Sequence, residues 1–415
     1  MLLISQVYFM LSLPKQHKIQ AFGRINSMNM NRMVLVQLQQ LISTFKFNKL
    51  TNEYKADKNV RRFSTWNLLQ TMLYAHLTNK RSIRDICTGL SSVKNRWHHL
   101  GFVSVSRNNL SNSLAKRSHE VFEKTFYQLL NKVQFDMHGR KDKRFKFQNP
   151  LKAIDSTSIS LCMSLCKWAS FRSTKAGIKA HTMYDIKKRI PDFIIITEGR
   201  RHDHAVVSQM PIQAETIYVL DKGYLCFKTL ENIAKNRAFF VTRIKSNTKY
   251  RTIKKNAPCG TGILRDDLIA FTGMKSKEYS HPLRLVRYRN PEDKKVYTYI
   301  TNNIELAAST IASIYKSRWD IELFFKWIKQ NLKVKTFIGT TENAVRIQIW
   351  TAAIAYLMME YLRFMSRSSI SLIEVFRIIG GNIFSDKNIW DLLSPRKKLE
   401  RLKFVPPELQ LDFGF

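Results

Sequence analysis

Between residues 148 and 243 short apolar strand-like runs alternate with helix-like segments, and that alternation narrows the folds open to this chain more than any other feature. Leu151 to Leu161 reads as an alternating strand and Phe193-Ile194-Ile195-Ile196 as a short buried one. Thr216-Ile217-Tyr218-Val219-Leu220 is a third, a helix is expected over Phe227 to Lys235, and Ala238-Phe239-Phe240-Val241 is a further strand. Strands spaced by helices indicate an α/β core in which parallel strands lie beside antiparallel ones. Upstream, residues 34–138 read as helical. Val34, Leu35, Val36, Leu38, Leu41 and Ile42 make one helix-period stripe, Trp66, Leu68, Leu69, Met72 and Leu73 another, and Ser82 starts a third helix. Downstream, residues 244–303 are β-rich and punctuated by turns, as at Cys259-Gly260-Thr261-Gly262, and look like an all-β insertion. Helices return over 305–332 and 342–366. The tail, residues 367–415, reads as shorter helices ended by Pro395, Pro406 and Pro407.

Residues 1–33 carry no clear pattern. The opening MLLISQVYFMLS lacks the basic n-region and small-residue cleavage site of a secretion signal. The longest apolar run, Ile349 to Met359, is too short to span a bilayer and is closed by Glu360, so a soluble cytoplasmic protein is expected. Five scattered cysteines, Cys87, Cys162, Cys166, Cys226 and Cys259, suit small side chains in a reducing compartment rather than a disulfide framework or a zinc site.

Charge decides the partner. Lys and Arg number 69 against 31 acidic residues, a formal net charge of +38. Such a surplus repels itself in the folded state unless a polyanion neutralises it. The basic residues run along the whole chain instead of flanking one anchor, which favours nucleic acid over a membrane surface.

Three acids stand out. Asp155 lies mid-strand in Ala153-Ile154-Asp155-Ser156-Thr157, where a buried carboxylate is costly unless it is paired or binds metal. Asp221 follows the strand ending Val219-Leu220 and precedes Gly223, at the carboxyl end of a parallel-type strand, where functional groups gather. Two such aspartates supply hard oxygen ligands of the kind Mg²⁺ or Mn²⁺ prefers. Glu322 lies in a segment read as one helix from Tyr315 to Lys329. At helical spacing Tyr315, Arg318, Glu322, Lys326 and Lys329 share a sector of roughly 80°, with apolar residues around most of the remaining circumference. A plain reading pairs Glu322 with Arg318 and Lys326 at four-residue spacing; the narrowness of the seam suggests instead a lined groove. A further helix, Arg107 to Lys116 with Ser106 as its cap, turns Leu110 and Leu114 inward and leaves Arg107, Asn108, Asn112 and Lys116 outside. That polar face suits a DNA groove, and it equally suits the solvated side of a small bundle.

Tyr315, Arg318, Glu322 and Lys329, at intervals of three, four and seven residues, resemble the tyrosine–arginine–glutamate–lysine signature of the DDE insertion-sequence transposases related to insertion sequence four. Ile154-Asp155-Ser156-Thr157 is similar to that family's first aspartate motif, Leu220-Asp221-Lys222-Gly223-Tyr224 to its second, and Thr301-Asn302-Asn303 to the lead-in to its last helices. The resemblance covers about Leu151 to Leu362. It implies an RNase H-like catalytic core carrying the β-rich insertion, preceded by a helical DNA-binding domain and followed by C-terminal helices that serve dimerisation. It further implies cut-and-paste transposition of an insertion sequence, with two Mg²⁺ or Mn²⁺ ions on Asp155, Asp221 and Glu322. Tyr315, Arg318, Lys326 and Lys329 would contact DNA beside the cut. Some relatives stack a flipped base on a tryptophan in the β insertion. No tryptophan lies between Trp168 and Trp319 here, which leaves Tyr288, Tyr297 or Tyr299 for that role. His202-Asp203-His204 has no third ligand of the right type and is read as a hydrogen-bonding loop. The competing readings are another RNase H-like nuclease and a catalytically silent DNA-binding regulator.

Overall fold

The strand expected at Leu151–Leu161 (β1) is the organising element of the chain. On one side it pairs antiparallel with β3, Lys175–Asp185, and on the other it runs parallel to β5, Ile217–Leu220. β3 also pairs antiparallel with β4, Ile190–Glu198, and at its start with the short β2, Ser170–Arg172. β5 is parallel to β6, Phe239–Arg243, the link between them being helix α8, Phe227–Lys235. The computed structural model describes residues 33–140, 142–161, 166–172, 175–201, 206–331 and 338–394. The expectations for residues 1–32, Cys162, His202-Asp203-His204 and the prolines at 395, 406 and 407 fall outside the described residues.

The 244–303 segment is β-rich as expected, yet it is no detached module. β10, Val296–Thr301, pairs antiparallel with β6, and β9 (Leu283–Arg289), β8 (Ile263–Phe271) and β7 (Tyr250–Asn256) follow in turn. This segment therefore extends the central sheet, and all the described strands join one mixed sheet. The edge strand β7 is exposed over most of its length and carries Arg251, Lys254 and Lys255, charges that discourage edge-to-edge pairing.

Polar caps start the N-terminal helices. Ser43, Ser64, Ser82 and Ser106 accept from backbone N–H groups at the starts of α2 (Thr44–Glu53), α3 (Thr65–Leu77), α4 (Ile83–Ser91) and α6 (Arg107–Lys116). α1 (Val34–Gln39), α5 (Trp97–Leu100) and α7 (His119–Asp136) complete the set. α3, α6 and α7 pack against α11, Glu342–Met365, whose residues from Ile347 to Leu362 are all buried. A helix apolar all round needs neighbours on every side; α7, α3 and α6, β4, and α12 (Leu372–Gly381) supply them. The Asn343 amide fastens this arrangement by donating to the carbonyls of Leu114 at 2.9 Å and Ala115 at 3.3 Å, where α6 ends. The N-terminal helices thus share one apolar core with the sheet. No described helix is long and apolar enough to cross a membrane.

One element departs from expectation. The segment read as a single helix through Tyr315 and Glu322 is two: α9, Ala308–Lys316, and α10, Trp319–Asn331. The Ser317 hydroxyl donates to the Ile314 carbonyl at 2.6 Å, and the N–H groups of Arg318, Asp320 and Ile321 each bond three residues back. This tightened turn breaks the register of the helix. The seam is therefore not one helical stripe, because Tyr315 belongs to α9 while Glu322, Lys326 and Lys329 belong to α10.

Candidate active site

Strand pairing places the site. Ile154 of β1 is level with Leu220 of β5, and Leu220 is level with Thr242 of β6. The next residue on each strand is Asp155, Asp221 and Arg243. Two acids and a base that lie apart in sequence thus stand side by side, where β5 and β6 end and midway along the longer parallel β1. Arg243 is in turn level with Tyr299 of β10. Asp221 caps a 3₁₀ turn, Lys222–Tyr224, by accepting from the Gly223 N–H at 3.1 Å. Its other carboxylate oxygen is 3.7 Å from an Arg243 nitrogen.

α10 packs across β1 and brings Glu322 to this row. The Arg318 guanidinium, at the junction of α9 and α10, donates to Asp155 Oδ2 at 2.7 Å and to Glu322 Oε1 at 2.6 Å. One planar cation thus spans two acids separated by 167 positions of sequence, a use of the guanidinium fork that lysine cannot copy. Burial pushes the Asp155 carboxyl up to about 6; the Ser156 N–H and Arg318 oppose that rise, while the negative charges of Asp221 and Glu322 add to it. A carboxylate raised by desolvation and by its acidic neighbours marks a point of concentrated negative potential.

Tyr315 is only 8% exposed. Its ring packs on Tyr299 with centroids 4.9 Å apart, and the guanidinium carbons of Arg243 and Arg318 lie 5.5 Å and 5.9 Å from its centre. It separates and orients two cations rather than meeting solvent. Tyr299 is buried by the same packing and offers no open face for a base; Tyr297 stacks on it at 6.3 Å with its hydroxyl bonded to Asp293, and both Tyr297 and Tyr288 stay half-exposed. Lys326 and Lys329 are exposed and, with Asp155, Glu322 and Phe325, line a cleft of about 400 Å³. Arg107, Asn108, Asn112 and Lys116 lie on the exposed face of α6 while Leu110 and Leu114 are buried, as the pattern predicts. No residue of α6 lines that cleft.

Sequence reasoning missed two features. Arg243 sits at the carboxyl end of a parallel strand, the same signal that singled out Asp221. The other is the exposure of two apolar residues of α10, Trp319 at 59% and Leu323 at 51%. They form an open apolar step beside Arg318.

The donor set suits a hard divalent cation, since it offers carboxylate oxygens and no soft ligand. Its present arrangement does not: among the described residues no group of three His, Cys, Asp or Glu side chains is gathered as a metal site, and Arg318 stands between Asp155 and Glu322.

Residues 146–358 match the family described as the transposase DDE domain, and residues 30–103 match a domain of unknown function. A Sinorhizobium fredii protein named as transposase y4zB is 32% identical over 285 residues, covering 68% of this chain and 78% of that protein. A Geobacillus stearothermophilus protein named as a transposase for insertion sequence element IS5377 is 29% identical over 252 residues, 60% of this chain and 66% of that one. Among solved structures, a piggyBac transposase synaptic complex with hairpin DNA matches over 92% of this chain and 84% of that one, at 12% identity and a TM-score of 0.43.

Proposed function

Because the chain belongs to the DDE transposases and is a DNA transposase, we propose that Asp155, Asp221 and Glu322 are its catalytic acids and that it moves an insertion sequence by cut-and-paste cleavage and strand transfer. The observation that carries this reading is the meeting of the three: Asp155 and Asp221 are level on adjacent parallel strands, and Glu322 is joined to Asp155 through one guanidinium. The order β4-β3-β1-β5-β6, with β3 antiparallel to its neighbours and β5 and β6 parallel to β1, supports an RNase H-like core. We read residues 34–138 as its helical DNA-binding part, 148–243 and 304–366 as the core, 244–303 as the insertion, and the helices after 366 as the dimer contact on paired DNA ends.

The three carboxylates would hold two Mg²⁺ or Mn²⁺ ions, which when bound supply activation of the attacking oxygen and stabilisation of the leaving one. The protein's own groups do the rest. Arg318 exchanges its carboxylate partners for a DNA phosphate, which its paired donors fit. Lys326 and Lys329 add point charges along the cleft, and Tyr315 holds Arg318 and Arg243 at their spacing. Trp319, open to solvent beside Arg318, offers a face on which a base can stack.

Asp155→Ala tests the assignment. Strand cleavage of a terminal-repeat duplex in Mg²⁺ is expected to vanish while binding of the same duplex persists. Cleavage surviving in the variant overturns the role given to Asp155.

A further inference from the structure

A second groove shares no residue with the acidic cleft. It has a volume of about 1330 Å³ and is lined by Gln39, Gln40, Trp66, Gln70, Asn95 and Arg96 among others. Every residue lining it except Asp386 lies within the span 30–103 that matches a domain of unknown function.

A chain of side-chain amides ends in this groove, and the backbone fixes its direction. The Ser64 N–H donates to Asn67 Oδ1 at 3.2 Å, and Asn67 Nδ2 donates to the Gly101 carbonyl at 3.0 Å. With its oxygen and nitrogen so assigned, Asn67 Nδ2 donates to Gln70 Oε1 at 3.0 Å. Gln70 Nε2 then donates to Gln39 Oε1 at 2.9 Å. Each amide orients the next, so Gln39 must turn its NH₂ group onward. Gln39 is 7% exposed, and its Nε2 is buried with no hydrogen-bond partner. A buried donor without an acceptor is rare and asks for one.

We propose that this groove reads the acceptor-bearing edge of a nucleobase in the element's terminal DNA, Gln39 being the reading residue. Three features point to a base rather than a bare phosphate. The waiting donor is a neutral amide, the half-buried Trp66 gives an aromatic wall, and further amides flank it at Gln40 and Asn95. Arg96, held by a 2.7 Å bond to the Phe384 carbonyl, has other guanidinium donors for the backbone phosphate alongside. The Gln39 oxygen already accepts from Gln70, so what the residue offers the groove is its NH₂ group, a donor that suits the major-groove acceptors guanine O6 or N7, adenine N7 and thymine O4. The matched domain thereby acquires a role as a base-reading module. The inference rests on the chain's being a DNA transposase and not on the assignment of the catalytic acids.

The test is binding by fluorescence anisotropy with the full chain in EDTA, so that no cleavage enters the readout. The probes are a duplex of the terminal inverted repeat found beside the coding region and a scrambled duplex of equal length. Gln39→Glu keeps the shape and the bond from Gln70 but presents an acceptor in place of the donor; Gln39→Ala removes the group. Thermal unfolding of each variant accompanies the titrations. The expected result is a loss of about tenfold in affinity for the repeat with Q39E, a smaller loss with Q39A, and unchanged affinity for the scrambled duplex. If Q39E does not fold, Q39A alone decides. An unchanged ratio of the two affinities, or an equal fall on both duplexes, overturns the proposal.

Discussion

At the scale of single residues, Arg318 is the most instructive side chain. Its guanidinium neutralises Asp155 and Glu322 together, so it competes with any cation for the same oxygens. Two ligands that exclude one another at a site are linked, and the linkage is reciprocal. DNA phosphate drawing Arg318 away is then expected to raise the site's affinity for a divalent ion, and the ion to raise its affinity for DNA. Arg318→Gln, which has no charge to compete, is expected to bind Mn²⁺ roughly tenfold more tightly than the natural chain in the absence of DNA, read from the signal of free Mn²⁺ by electron paramagnetic resonance. Equal or weaker Mn²⁺ binding in the variant would contradict the competition.

At the scale of elements, the contact between α3 and α11 carries a titratable link. His76 is buried, and its ring nitrogen lies 3.0 Å from the Thr351 hydroxyl. Burial lowers its pKa from 6.5 to about 4, a backbone bond near Gln348 opposing. The folded pKa lies below the unfolded one, so between the two values the unfolded chain binds a proton that the folded chain refuses. Stability from this group is therefore fully present above pH 6.5 and falls as pH drops toward 4, by up to about 3 kcal/mol. His76→Leu is expected to flatten that part of the profile, measured as the difference in urea unfolding free energy between pH 7 and pH 5. A variant as acid-sensitive as the natural chain would place the effect elsewhere.

At the scale of the whole molecule, the surplus of +38 predominates. Neutralising phosphates releases condensed counterions, so the logarithm of the DNA affinity is expected to fall linearly with that of the salt concentration, with a slope of about −0.9 per phosphate contacted. Titrations from low to moderate salt measure it, and affinity indifferent to salt would remove electrostatics from the account. The sequence by itself determined much of this protein. The strands at Leu151–Leu161 and Ile217–Leu220, the capped helix Arg107–Lys116, and the candidacy of Asp155, Asp221 and Glu322 follow from period, capping chemistry and residue type, all of which are local. The strand Lys175–Asp185 escaped notice, and the break at Ser317 was hidden in a run with good helical periodicity, because a single hydroxyl and a tightened turn outweigh a pattern that shows no interruption. Only tertiary structure decided that the β-rich segment extends the central sheet, that Arg243 stands beside Asp221, that Arg318 bridges two distant acids, and that an amide chain from Ser64 ends at Gln39. These relations depend on strand register and on contacts between residues tens to hundreds of positions apart, and local chemistry cannot select among the many pairings open to such residues until the packed core has fixed one.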